Sequence, residues 1–441
     1  MINGRLTTEG LDDEDDKYPD DDFSQRDDAE TEHASTAGMS GAITAPPITL
    51  APQQAEAVDE VAQWLEEVRA GTASPYYYLG GYAGTGKTTI AKKLASLQNR
   101  PTYFATFTGK AARVLRSKGC PASTIHSLIY LPQGKVSEEI AELDAELHDP
   151  DNPPDLARRQ KILKRLADLR KPSFKKNEKI PEMGMLVLDE CSMIDKIMGE
   201  DLLALGIPLL VLGDPGQLPP IKGTGFFTSN NPDYMLTEIH RQAAESPVLQ
   251  LATAARQGLT LKAGKYGESF VGKQSQMDKA MSTGVDQILV GGHKARKAII
   301  AEMRQLLGFE GMIPRKGEKL ICLRNNHKDG ILNGQMFTAL SDMDPQYGTI
   351  DVLDDDGDKN SLAIHPECFS DPELVAAWPY SKRVMRQEFD YGYAITGHKS
   401  QGSEWPSVTV FAEMFRWDPP LFRKWLYTAI TRASERVNVL L

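Results

Sequence analysis

Residues 80–95 read GGYAGTGKTTIAKKLA, and Gly81, four variable positions, Gly86, Lys87 and Thr88 have the G-x-x-x-x-G-K-T spacing of a phosphate cradle. The flanks supply the context that the spacing needs. YYYLGG (76–81) reads as a short buried strand entering the loop, and TTIAKKLASL (88–97) as the helix leaving it. Backbone N–H groups from Gly84 to Thr88 can wrap phosphates, aided by the positive end of the following helix. Lys87 would reach the β- and γ-phosphates and the Thr88 hydroxyl would bind Mg²⁺. Ala83, Thr85 and Thr89 belong to the same ATP cradle.

A second element completes the site. MLVLDECS (185–192) sets Asp189 and Glu190 at the end of an apolar strand, where a doubly wound sheet has its ligand crevice. Asp189 would hold Mg²⁺, and Glu190 would orient or deprotonate the attacking water. PTYFATF (101–107) and IPLLVLGD (207–214) are further strands, so strands alternate with helices. That alternation predicts an α/β fold with mostly parallel sheets.

The net charge of −11 over 441 residues is unevenly spread. Residues 1–33 contain 13 of the 61 acidic groups and only Arg5, Lys17 and Arg26 of the 50 basic ones, which leaves the remaining body at −1. A neutral body can still carry a basic groove. The segment DDEDDKYPDDD (12–22) is expected to be disordered, either as a solubilising tail or as a docking segment for a protein partner. No run is long and apolar enough to span a bilayer, and the acidic N-terminus does not read as a signal peptide. The widely spaced Cys120, Cys191, Cys322 and Cys368 suggest neither zinc nor a disulfide framework. A reduced cytoplasmic protein without membrane contact is the expectation.

The chain divides into an acidic tail and linker (1–47), a first lobe (48–230) and a second lobe (231–441). Within the first, about 131–180 is charged, helical in period and interrupted by a Pro-containing turn. It reads as an inserted arm, acidic first and then basic, either a solvated helix pair or a nucleic-acid-facing element. Within the second, about 316–385 changes texture. KLICLRNN, GQMFTALSDMD, GTIDVLDDDGD and NSLAIHPE are short strands joined by turn signals, so a small antiparallel insertion is predicted.

FTGKAARVL (107–115), STIHSLIY (123–130), LGDPGQLPP (212–220), LTEIHRQ (236–242), AITGHKSQGSEW (394–405) and LYTAITRASERV (426–437) follow one another in that order. With the phosphate loop and the Asp-Glu pair, this set resembles the ordered motifs of superfamily 1 helicases, in the 5′-to-3′ branch of Dda-like and RecD-like enzymes. The resemblance spans residues 50–441. It implies two RecA-like lobes, with an SH3-like barrel as the second insertion. It also implies ATP-driven 5′-to-3′ movement on single-stranded DNA and action at duplex junctions, by a monomer, in replication, recombination or repair.

Residue by residue, the resemblance makes Gln54 an adenine-reading amide, a role its donor and acceptor suit. It makes Gln217, beside Asp214, a γ-phosphate sensor, and sets Glu404 near the same cleft. Arg241 and Arg432 become arginine clamps on the charge that develops in the transition state. Phe107, Thr108, Lys110, Thr124, His126, Thr396, His398 and Lys399 are the candidate nucleic-acid contacts, with hydroxyls and imidazoles suited to a sugar-phosphate track and rings to base stacking. Phe107 could equally belong to the core, because it ends an apolar strand.

Two departures stand out. In ILVGGHKARKAII (288–300), His293 occupies a position that usually carries Asn, while Arg296 matches the pattern. The inserted arm does not read as the β-hairpin pin that often separates strands in the family. A translocase with little unwinding, an RNA-directed relative, and a P-loop kinase or nucleotide-gated switch are the rivals. The last leaves the Arg241 and Arg432 segments unexplained.

Overall fold

The computed structural model describes residues 50–441 apart from 133–142, 144, 148–153, 170–173, 178–181, 220–224, 240–244, 327–328, 356, 379 and 414–416. The acidic tail and Arg241 therefore lie outside the described residues, as does much of the inserted arm.

Helix α1 (Pro52–Arg69) precedes β1 (Tyr76–Gly81), and α2 (Lys87–Leu97) follows it. Then come β2 (Thr102–Thr106), α3 (Gly109–Ser117), β3 (Ala122–Thr124) and α4 (Ile125–Ile129). The arm begins and ends on an antiparallel pair, β4 (Tyr130–Pro132) with β5 (Phe174–Lys176), and contains α5 (Leu156–Leu169). β6 (Met185–Asp189), α6 (Lys196–Leu203), β7 (Leu209–Gly213) and β8 (Tyr234–Leu236) complete the first lobe, whose sheet runs past the boundary expected at residue 230 because β8 pairs with β1. Its six-stranded sheet has the order β3-β2-β6-β7-β1-β8, and every pairing in it is parallel.

A parallel sheet needs both faces covered, and continuous apolar runs supply the residues for both. Met185 and Val187 pack with Leu210 and Leu212 under α1 and α2. Leu186 and Leu188 pack with Leu209 and Val211 on the opposite face, toward α6. This layering aligns the C-terminal ends of β1, β6 and β7, so the phosphate loop, Asp189 and Asp214 emerge along one crevice.

The second lobe opens with α7 (Pro247–Arg256), β9 (Gly264–Tyr266) and β10 (Ser269–Gly272), followed by β11 (Gln287–Val290) and α8 (His293–Leu307). An insertion follows, with β12 (Lys319–Cys322), β13 (Met336–Ala339), β14 (Thr349–Asp354), β15 (Lys359–Ala363) and β16 (Phe389–Tyr391). The lobe then closes with β17 (Ala394–Thr396), β18 (Trp405–Phe411), α9 (Pro419–Ile430) and β19 (Ala433–Leu440). Its main sheet, β17-β11-β18-β19-β10-β9, is parallel except for the β9–β10 pair.

The insertion is a five-stranded antiparallel sheet, β15-β14-β13-β12-β16. On β14, Ile350, Val352 and Asp354 face inward while Thr349 and Asp351 are exposed, the alternation of a sheet wetted on one side. Four of its strands are the ones the sequence suggests. The fifth, β16, lies beyond residue 385 and is only three residues long, directly before β17. That short spacing disguises it as part of the parallel sheet.

Candidate functional site

The loop after β1 turns through Gly84 (φ 80°) and Gly86 (φ 83°). Both are in the left-handed region, which a side chain would strain. Gly86 caps the N-terminus of α2, so the positive end of that helix points at the cradle. Thr85 is buried and its hydroxyl donates to the Tyr82 carbonyl at 2.8 Å. Lys87 folds back on its own loop, its Nζ donating to the Gly81 carbonyl at 2.6 Å and to that of Tyr82 at 3.3 Å.

A cleft of about 600 Å³ opens in front of this loop. From the first lobe it is lined by Ala83, Gly84, Lys87, Thr88, Asp189, Glu190, Asp214 and Gln217, and from the second by Glu404 and Arg432. The size falls within the range of small-ligand pockets.

Electrostatically the floor is tense. Burial pushes the Asp189 carboxyl up, an effect that nearby Lys87 partly offsets. Burial pushes Glu190 up as well, with the Arg432 guanidinium pulling it down and the neighbouring Asp189 charge pushing it further up. A group that is costly to ionise when buried becomes cheap to ionise when a cation joins it. Asp189 Oδ1 accepts from the Glu190 backbone N–H at 2.9 Å. The Gln217 side-chain carbonyl is buried without a hydrogen-bond partner. Two carboxyls awaiting positive charge, a threonine hydroxyl and an orphaned amide oxygen fit a nucleotide carrying Mg²⁺. The described residues contain no cluster of three or more His, Cys, Asp or Glu suited to hold a metal alone. Mg²⁺ bound largely through phosphates and water needs none.

Arg432 is buried, and three acceptors aim its guanidinium: the Thr428 carbonyl at 3.1 Å, the Ser403 carbonyl at 3.2 Å and Thr431 Oγ1 at 3.3 Å. Thr88, Asp189, Glu190, Gln217, Glu404 and Arg432 thus meet in one cleft. Two other residues of the site are held from within the chain. Gln54 Nε2 donates to the Thr85 carbonyl at 2.9 Å, and its Oε1 accepts from Ala51 N–H at 3.1 Å. The amide thereby braces the phosphate loop against the start of α1. Asp214, which also lines the cleft, receives the Tyr427 hydroxyl at 2.6 Å and the Gly216 N–H at 2.9 Å, so its carboxylate is anchored within the chain.

The candidate nucleic-acid contacts lie on elements beyond the cleft. Thr108 caps α3 and Thr124 caps α4, each accepting from a backbone N–H three residues on. Phe107 packs edge-on against His126, with ring centres 6.0 Å apart, and His126 in turn lies 5.7 Å from Tyr130. Phe107 also borders the core under β2, as the core reading of it expects.

Across the lobes, Thr396 is buried, and its Oγ1 accepts from Lys399 N–H at 3.3 Å. Lys399 Nζ reaches Asn333 Oδ1 at 3.5 Å on the antiparallel insertion, and His398 is partly exposed between Thr396 and Lys399. Lys110, one of the expected nucleic-acid contacts, reaches the second lobe. Its ammonium lies 4.6 Å above the Trp405 ring in the second lobe, and burial pushes its pKa down to about 8. Arg296 pairs with Asp390 of β16 at 2.5 Å, tying α8 to the insertion, and His293 begins that helix.

Sequence reasoning passed over the second-lobe side chains that touch the phosphate loop itself. Tyr427 Oη accepts from Ala83 N–H at 2.8 Å, and the Arg256 guanidinium lies 3.4 Å over the Tyr82 ring. Tyr427 stood in plain view inside LYTAITRASERV, but its partners are more than two hundred residues away.

Comparison with known proteins finds family matches in both halves of the chain. The AAA domain family matches residues 49–269, and the UvrD-like helicase C-terminal domain matches residues 391–440. The ATP-dependent RecD2 DNA helicase of Deinococcus radiodurans is 27% identical over 394 residues, an alignment covering 81% of this chain and 46% of that protein. The chain therefore spans about half the length of this curated relative. Among solved structures, Pif1 helicases at forked double-stranded DNA superpose with a TM-score of 0.51 and 17% identity, over 89% of this chain and 92% of theirs. Pif1 from Candida albicans gives 0.49 and 16%, over 89% and 94%.

Proposed function

The chain belongs to the AAA domain family, and from that premise we propose that it is an ATP-driven superfamily 1 motor that moves 5′ to 3′ along single-stranded DNA and opens duplexes at junctions. One observation carries this reading: first-lobe Lys87, Glu190 and Gln217 and second-lobe Arg432 line a single cleft. A hydrolytic set divided between two bodies is complete only when they close, so turnover and relative movement become one event.

In this mechanism the loop N–H groups and Lys87 bind and orient the phosphates. Bound Mg²⁺, held by Thr88 and Asp189, would neutralise phosphate charge. Glu190 takes a proton from the attacking water, which its raised affinity for protons favours. Arg432 stabilises charge on the γ-phosphoryl oxygens, and Gln217 orients what lies between. Lys87 must first leave the Gly81 and Tyr82 carbonyls to do its part.

The proposed track runs over the capped starts of α3 and α4, the Thr396–Lys399 loop and the antiparallel insertion. Cleft closure would change the spacing of the two gripping sets, Thr124/His126 and Thr396/His398. A DNA stacking step averages about 1.4 kcal/mol, a modest load for a nucleotide-driven motor. The test is ATPase activity with and without oligo-dT, followed by unwinding of 5′-tailed against 3′-tailed duplexes. Stimulation and selective opening of the 5′-tailed substrate are expected. Hydrolysis indifferent to oligonucleotide overturns the reading.

A further inference from the structure

Three second-lobe side chains grip one first-lobe turn, the segment after β7. Tyr427 Oη donates to Asp214 Oδ2 at 2.6 Å, Thr428 Oγ1 accepts from Leu218 N–H at 2.9 Å, and Gln401 Nε2 donates to the Leu218 carbonyl at 3.2 Å. Gln217 sits between those two anchored ends. Tyr427 makes one more contact, receiving Ala83 N–H of the phosphate loop at 2.8 Å. A single buried hydroxyl therefore joins the phosphate loop, the Gln217 turn and the second lobe.

The hydrogen-bond direction is fixed. Burial, and then the Asp214 charge, push the Tyr427 phenol far above its ordinary range, so it remains an O–H that donates to Asp214 and accepts from Ala83. The packing is equally definite. A Cβ on Gly216 would fall 3.0 Å from the Arg256 side chain and 3.1 Å from both Asp214 Oδ1 and the Tyr427 ring. The absence of a side chain at residue 216 lets the turn lie this close to the tyrosine without displacing its neighbours.

The geometry assigns Tyr427 as a positioning residue for hydrolysis: its hydroxyl sets the Gln217 turn against the phosphate loop as the second lobe docks. This rests on the motor reading above and adds a specific element to it. Tyr427 does not act on the reacting atoms. It makes the alignment of Gln217 conditional on where the second lobe stands. Gln401, on the loop that also carries His398 and Lys399, connects the same turn to the proposed DNA side.

The test is Tyr427→Phe in the full chain, which keeps the ring in its apolar setting and deletes the hydroxyl. Because that hydroxyl bonds a carboxylate, kcat for ATP is expected to fall about tenfold, while KM for ATP and binding of a fluorescent ADP analogue stay within about twofold. A loss of local structure would instead raise KM and weaken ADP binding. Thr428→Val, which cuts the neighbouring tie to Leu218, should lower kcat in the same manner. The double variant should be little worse than either alone, since the two ties serve one turn. Wild-type kcat in Tyr427→Phe, or a loss confined to KM, overturns the assignment. Should Tyr427→Phe not fold, wild-type kcat in Thr428→Val overturns it equally. The kcat and KM comparison is made on basal hydrolysis as well as with oligo-dT. A wild-type chain indifferent to DNA would then defeat the motor reading while Tyr427 is still judged on its own.

Discussion

Among the described residues Glu190 is the one non-glycine with left-handed backbone, φ 54° and ψ 41°. Such a conformation costs a non-glycine residue about 1–2 kcal/mol, and here it aims a carboxyl at the cleft. Glu190→Gly should therefore gain about 1 kcal/mol in denaturant unfolding while hydrolysis is lost, stability traded against activity at one position. Glu190→Gln should lower kcat by about a hundredfold or more, and Lys87→Ala should do the same while leaving oligonucleotide affinity largely intact. The pH profile is a further check. A general base must be ionised, and burial raises both Glu190 and Asp189 in the free protein, so kcat/KM falls as pH drops through the raised value of the pair. The acid limb of kcat/KM should lie above the ordinary carboxylate range of about 4, and that of kcat below it once a cation has joined the pair.

At the scale of elements, the four principal strands of the first sheet were readable because a strand buried on both faces is a nearly unbroken apolar run. The phosphate loop and the Asp-Glu pair were equally readable, since each is fixed by spacing within a few residues. What the sequence concealed lies in partners distant along the chain. The Gln54 amide is committed to Thr85, and Lys110 leans on Trp405, three hundred residues away. β16 was hidden for the opposite reason, being too short to carry a period. Gln54→Ala would leave the Thr85 carbonyl and Ala51 N–H without their present partner. A loss of about 2 kcal/mol is expected by denaturant titration, with a higher KM for ATP as the loop loosens. An undiminished stability would mean that water satisfies both groups.

At the scale of the whole molecule the two lobes meet at more than the cleft. Leu332 of the insertion lies against Gly109 at the start of α3, and Arg113 of α3 stands 4.0 Å from Asp354 of β14. The insertion thus meets the first lobe directly along α3. Charge reversal at Arg113, as Arg113→Glu opposite Asp354, should separate these faces and shorten residence on oligo-dT, read as faster dissociation with basal hydrolysis retained. The four cysteines are all buried and free. No helix among the described residues is long and apolar enough to cross a membrane.

The antiparallel insertion shares its interior with the lobe that carries it. Ile288 and Val290 of β11 belong to the same apolar cluster as Leu320, Phe337 and Phe389. Anyone wishing to transplant this sheet onto a sister protein, or to trim the chain to a minimal engine, would find no clean seam along which to cut. Excision would strip the host of one wall and the graft of its floor.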